Sequence, residues 1–177
     1  MKKKITVLTL CAMLVVLCVV AKAQQTGKIF RIGFLDNSTA SGSAVLVDAF
    51  RQELSKLGWI EGKNFTLEFR FAEQNGERLP ELAADLVRLK VDLIVTTGGP
   101  PALAAKGATS TVPIVMANAA DPVGIGLVAS LARPGANVTG LSSLGTELNS
   151  KRLEVLKDTI PKLGRVGLLR SRTVVGD

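Results

Sequence analysis

The sequence predicts an open, doubly wound parallel α/β sheet with helices on both faces. Three observations carry this expectation. Short β-rich runs alternate along the chain with amphipathic segments of helical period. Several of those runs end in glycine or small polar residues, where such sheets open into loops. The run Leu93–Val95 is wholly apolar, as a strand covered on both faces must be, whereas Asn64–Phe71 alternates and reads as a half-covered strand at a sheet edge.

The first 23 residues stand apart from this pattern. Met1-Lys-Lys-Lys4 leads into an apolar run from Ile5 to Val20 and then Ala21-Lys22-Ala23, the three parts of a secretory signal peptide. The apolar run is shorter than the ~20 residues a spanning helix needs, so cleavage after Ala23 and a periplasmic location are expected. Cys11 and Cys18, the two cysteines, lie in this segment, and so do Lys2, Lys3, Lys4 and Lys22. Of 22 basic residues 18 then remain against 15 acids, and the net charge falls from +7 to +3. The compositional case for a nucleic-acid partner falls with it. Aromatic residues, 4% of the chain, are too few to stack on a single strand. The chain beyond Ala23 amounts to about one domain, enough for a hydrophobic core.

Lys28–Leu35 reads as the first strand, and Asp36–Gly42 as a polar loop rich in helix caps. Val47, Phe50, Leu54 and Leu57 then mark one face of a helix that Gly58 ends. After the alternating strand, Glu73–Glu77 is a turn, and Leu79, Leu82, Leu86 and Leu89 line a second helix running to Lys90. Val91-Asp-Leu-Ile-Val-Thr-Thr-Gly-Gly-Pro-Pro101 reads as a buried strand, a glycine loop and a helix start in succession. That arrangement aims free backbone N–H groups at an anion such as a carboxylate. A short alanine-rich helix runs on to Ala108, followed by a strand at Val112–Asn118, a helix over Val123–Leu131, and a strand at Asn137–Leu141. A last helix is expected over Leu148–Ile160 and a sixth strand over Arg165–Leu169.

Much chemistry is ruled out by residue type. With no histidine in the chain, and no cysteine after the leader, Ser-His-Asp and Cys-His catalysis and the usual zinc sites are excluded. Neither a Walker loop nor a Gly-x-Ser-x-Gly elbow occurs. Gly124-Ile-Gly126-Leu-Val-Ala129 fits the loose dinucleotide pattern but follows no strand directly, and its glycines read as helix-packing residues. Asp36, Asp121 and Glu147 fall in loops and define a second reading, a small exported metal-assisted α/β enzyme. The stronger constellation is the set of polar and glycine loops at strand ends: Asn37 to Thr39, Thr96 to Pro100, Asn118 to Asp121, and Ser142 with Ser143. In a parallel sheet these share one edge and surround a small polar molecule.

Several strings carry a family resemblance: Phe50-Arg-Gln-Glu-Leu54 with Leu57-Gly-Trp-Ile-Glu-Gly62, Leu79 to Asp92, Thr111-Val-Pro-Ile-Val-Met116, and above all Asp121 to Leu141. From about Arg31 to Leu169 the chain resembles the bacterial ATP-binding cassette transporter substrate-binding proteins of the tryptophan/tyrosine-importer type. The resemblance implies a type I periplasmic binding protein, two α/β lobes that close on a small polar ligand, with amino acids one implied ligand class, and deliver it to a membrane permease. It implies no enzymatic activity, no cofactor and no metal. Carried over by position, the first-lobe cleft loops fall on Asn37 and Ser38, on Thr97, Gly98 and Gly99, and on Asn118 and Asp121. Residues 24–145 correspond to a first lobe, and residues 146–177 to a crossover helix and the opening strand of an incomplete second lobe. A lone lobe is expected to bind weakly at best, because closure supplies water exclusion and the opposite wall.

Overall fold

In the computed structural model, residues 28–143 and 145–167 are described; the expected signal peptide lies outside them. Five strands form one parallel sheet: β1 (Phe30–Asp36), β2 (Phe65–Phe71), β3 (Leu93–Thr97), β4 (Ile114–Ala119) and β5 (Val138–Ser142). Their order is β2-β1-β3-β4-β5, so β2 is an edge strand, as its alternation predicts. Among the described residues four α-helices accompany them, α1 (Ala40–Lys56), α2 (Leu79–Arg88), α3 (Gly99–Ala108) and α4 (Gly145–Thr159), with a 3-10 turn over Gly76–Arg78 leading into α2. The chain runs outward from β1 to β2, then returns past β1 to β3 and continues the other way. The strand order therefore reverses between β1 and β3, and loops leaving their carboxyl ends diverge to opposite faces, which opens a crevice there.

Residue alternation sorts the strands into two cores. Ile32, Phe34, Phe65 and Val95 face α1, where Val47, Phe50 and Leu54 meet them. Phe34 lies within 5.8–6.4 Å, centroid to centroid, of Phe50, Phe69 and Phe71. On the other face Leu35, Ile94, Ile114, Met116 and Val138 pack against Leu79, Ala83 and Leu86 of α2 and Ala102 and Ala105 of α3. Each fully buried aliphatic or aromatic side chain of this kind contributes about 1.5–3 kcal/mol. Gly33 matters to the second core: a Cβ there would come within 3.0 Å of Leu86, so its absence lets α2 lie close to β1.

Three expectations need correction. The loop after β1 is shorter than Asp36–Gly42, because Thr39 caps the helix by accepting the Gly42 N–H at 3.0 Å and α1 begins at Ala40. The helix expected over Val123–Leu131 is a single turn. Gly126 adopts φ 71°, its N–H reaches the Val123 carbonyl at 2.9 Å, and the Leu127 N–H reaches Pro122 at 2.8 Å, a Schellman closure that stops the helix where it starts. The two glycines thus terminate structure instead of packing helices, while Leu127 and Val128 drop into the core. Finally, Arg165–Gly167 form no strand, and the rest of the expected sixth strand lies outside the described residues.

Candidate ligand-binding site

The carboxyl edge of the sheet gathers the predicted loops, each held by backbone bonds that prolong the strand pairing. At the end of β1, Asp36 is only 6% exposed; its carboxylate accepts the Ser38 N–H at 3.0 Å and the hydroxyl of buried Ser43 in α1. That fixes the turn through Asn37 and Ser38. The carbonyls of these two residues accept the N–H groups of Gln74 at 2.7 Å and Glu73 at 3.2 Å, joining the β1 end to the turn after β2. Glu73 and Gln74 both adopt positive φ, 56° and 61°, to make that approach. Asn37 Oδ1 is buried with no hydrogen-bond partner among the described residues, and it lies on the side of the turn after β2, where a Cβ on Gly76 would come within 3.8 Å of it.

On the β3 side, the register shifts between Thr96 and Thr97, so that Thr97 pairs with Asn118 of β4. The Gly98 N–H then donates to the Asn118 carbonyl at 2.8 Å. Thr97, Gly98 and Asn118 are therefore brought together directly. Gly98 caps α3 with φ 83° and ψ 175°, a region essentially restricted to glycine. The array of free N–H groups expected at this helix start is sparser than the sequence implies. Of the four N–H groups an α-helix leaves unpaired at its start, Pro100 and Pro101 supply none and Gly98 gives its own to Asn118. Gly99 is left as the donor.

On the β4 side, Asp121 caps the turn: its Oδ1 accepts the Gly124 N–H at 2.8 Å, and the Ile125 N–H bonds its carbonyl at 3.1 Å. A Cβ on Gly124 would overlap the Asp121 carboxylate. The turn lays Ile125 over Gly99, whose Cβ, if it had one, would sit 2.9 Å from Ile125 Cδ1. Asp121 is thereby kept on the Gly99 side of the edge, whereas Asn37 and Ser38 occupy the neighbouring strand end and bond to the 73–74 turn instead. Ser143 donates its N–H to the Ala119 carbonyl at 3.0 Å and carries the β4–β5 pairing one step further. With Asp36 taken up by Ser38 and Ser43, and Asp121 by Gly124, these two carboxylates act as structural caps, which weakens the metal-assisted enzyme reading. The side chain of Glu147, the third loop acid, lies outside the described residues.

Residues 39–174 match the family described as ABC transporter substrate binding protein. The chain belongs to that family. It is 35% identical over 126 residues to the tyrosine-binding protein of Clostridioides difficile strain R20291, a stretch that covers 71% of this chain and 36% of that one. Among solved structures it is similar to the ligand-free, open form of a substrate-binding protein with adhesive properties from Clostridium difficile, with a TM-score of 0.65 and 32% identity. That match covers 76% of this chain and 45% of the other. It is also similar to an ABC domain in complex with L-Trp from Streptococcus pneumoniae, with a TM-score of 0.60 and 28% identity over 65% of this chain and 39% of that one. The fold is thus that of the periplasmic-binding-protein-like relatives, and the chain spans less than half the length of each.

Two contributors were not visible in the sequence. The Glu73–Gln74 turn reads only as a connection, and nothing in its residues announces the positive φ angles that tie it to Asn37. Ile125 reads as an interior helix residue until the Schellman closure turns it onto Gly99.

Proposed function

We propose that this chain supplies one wall of the ligand cleft of an exported solute-binding protein, and that the ligand is a small zwitterion, an aromatic amino acid in the first instance. Its support is the chain's place in a substrate-binding family together with the grouping, on the β3–β4 side of the sheet's carboxyl edge, of the Gly99 donor, the Asp121 carboxylate and the exposed apolar side chains of Val123 and Ile125. The carboxylate suits an ammonium group, the N–H donor suits a carboxylate, and Val123 and Ile125 suit the apolar body of the ligand. The names of two relatives, which concern tyrosine and L-Trp, point the same way. In this reading residues 1–23 direct export to the periplasm and are removed, residues 24–145 form the first lobe, and residues 146–177 begin the second. The protein performs no catalysis and hands its ligand to the membrane permease of an ABC importer.

Isothermal titration with L-tyrosine and L-tryptophan tests the reading. This chain alone is expected to bind at roughly millimolar affinity, and a chain extended by the second half of the tyrosine-binding relative at roughly micromolar affinity, a gain of about 4 kcal/mol from closure. Asp121→Asn keeps the cap and removes the charge, so stability should stay near wild type while affinity drops. Asp121→Ala loses the cap as well, at about 0.5–2 kcal/mol. No heat from the extended chain with either amino acid would overturn the proposal.

A further inference from the structure

We propose that Lys106 and Ile125 latch the Asp121–Gly126 turn onto helix α3, making Lys106 a positioning residue for the candidate site. The turn closes on Gly126, whose carbonyl is at the end of a one-turn helix and so lacks a helical partner. Lys106, in the last turn of α3, donates to that carbonyl from Nζ at 2.8 Å. At the other end of the same helix, Ile125 Cδ1 lies against the backbone of Gly99. The two attachment points are seven residues apart on α3, about 10 Å along its axis. The C-terminal corner of the turn is therefore fastened to both ends of the helix, by a charge-assisted hydrogen bond from Lys106 near its C-terminus and an apolar contact of Ile125 at its N-terminus. Beyond the strap, Leu127 and Val128 are anchored in the core.

The strap bears on how the site is held. Asp121 stands at the start of the turn and Gly98–Gly99 at the start of α3, on different strands. With the strap closed, the two sides form one rigid wall before any ligand arrives, and ordering them costs nothing at the moment of binding. That functional meaning rests on the binding role proposed above. The latch itself does not.

Amide hydrogen exchange on the ligand-free protein tests it. The Leu127 and Val128 N–H groups, which bond the Pro122 carbonyl at 2.8 and 3.0 Å, report the closed turn. In Lys106→Met both should exchange about tenfold faster, the order expected for loss of one hydrogen bond to a charged donor. Amides of β1 and β3 should keep their wild-type rates. Lys106→Arg, which retains a donor of similar reach, should restore slow exchange at the turn. Ile125→Ala, which removes the contact at the N-terminal end of α3, should also speed exchange at Leu127 and Val128. Unchanged rates in Lys106→Met, an equal increase across the whole sheet, or failure of arginine to rescue would each overturn the latch. Because no ligand is present, silence in the titration with L-tyrosine would remove the binding reading and leave this result standing.

Discussion

Gly98→Ala isolates the backbone requirement at the centre of the site. Gly98 has φ 83° and ψ 175°, yet a Cβ built on it meets no atom within 4 Å. The substitution therefore creates no clash, and its entire cost is conformational, about 1–3 kcal/mol for an L-residue forced into that region. Gly99 offers the contrast: its Cβ would sit 2.9 Å from Ile125 Cδ1, the far end of a flexible side chain that can shift. Gly107, inside α3 with open space around it, is the control. Gly107→Ala should stabilise by roughly 0.5–1 kcal/mol through helix propensity. Urea unfolding followed by far-ultraviolet circular dichroism reads all three, with an unchanged m value as the check that only stability has moved. The expected order is Gly107→Ala above wild type, Gly99→Ala slightly below it, and Gly98→Ala lowest. A midpoint for Gly98→Ala equal to that of Gly107→Ala would refute the reasoning, since the two sites differ only in backbone conformation.

Gly140→Ala in β5 combines a φ of 142° with a Cβ placed well inside 3.0 Å of the Met116 carbonyl oxygen, so the loss should be about 3 kcal/mol or more, measured by thermal unfolding, with β5 amide protection falling first. Asp92 and Asp85 predict a pH dependence. The Arg31 backbone N–H and then Lys28 hold the Asp92 carboxyl below its usual range, and Arg70 and then Arg88 do the same for Asp85. A carboxyl with a lowered folded-state pKa stabilises fully above about pH 5 and loses that contribution as pH falls through its folded value. Melting temperatures taken from pH 6 to pH 2 should therefore fall less steeply in an Asp85→Asn, Asp92→Asn double variant than in wild type, and parallel curves would contradict the assignment.

The legible parts of the fold were those fixed by local periodicity. The alternation of Phe65, Leu67, Phe69 and Phe71 announced an edge strand, and β2 lies at the edge. Leu79 and Leu86 announced the buried face of α2, and both are buried. The segment after β4 misled for a physical reason. Its apolar spacing is helical, but two glycines and a proline within five residues favour a cap, one turn and a left-handed stop, and the burial of Leu127 and Val128 against the sheet settles the competition. At the site, strand-end position alone located Thr97, Gly98 and Asn118 as neighbours. It overstated the N–H groups of the α3 start, because the prolines that favour a helix N-terminus also remove the donors that an anion would use.

By itself, the sequence determined the five strands and the helices between them apart from the segment after β4, the edge position of β2, and the absence of histidine from the chain and of cysteine after residue 23. Those follow from side-chain type and spacing, which act over a few residues. Only the tertiary structure decided that Asn37 Oδ1 is buried without a partner among the described residues, that Asp36 and one oxygen of Asp121 serve as caps, and that Lys106 reaches Gly126 across twenty residues of chain. Each of these depends on which partner a polar group finds once the sheet has closed, and no local pattern encodes a partner on another strand.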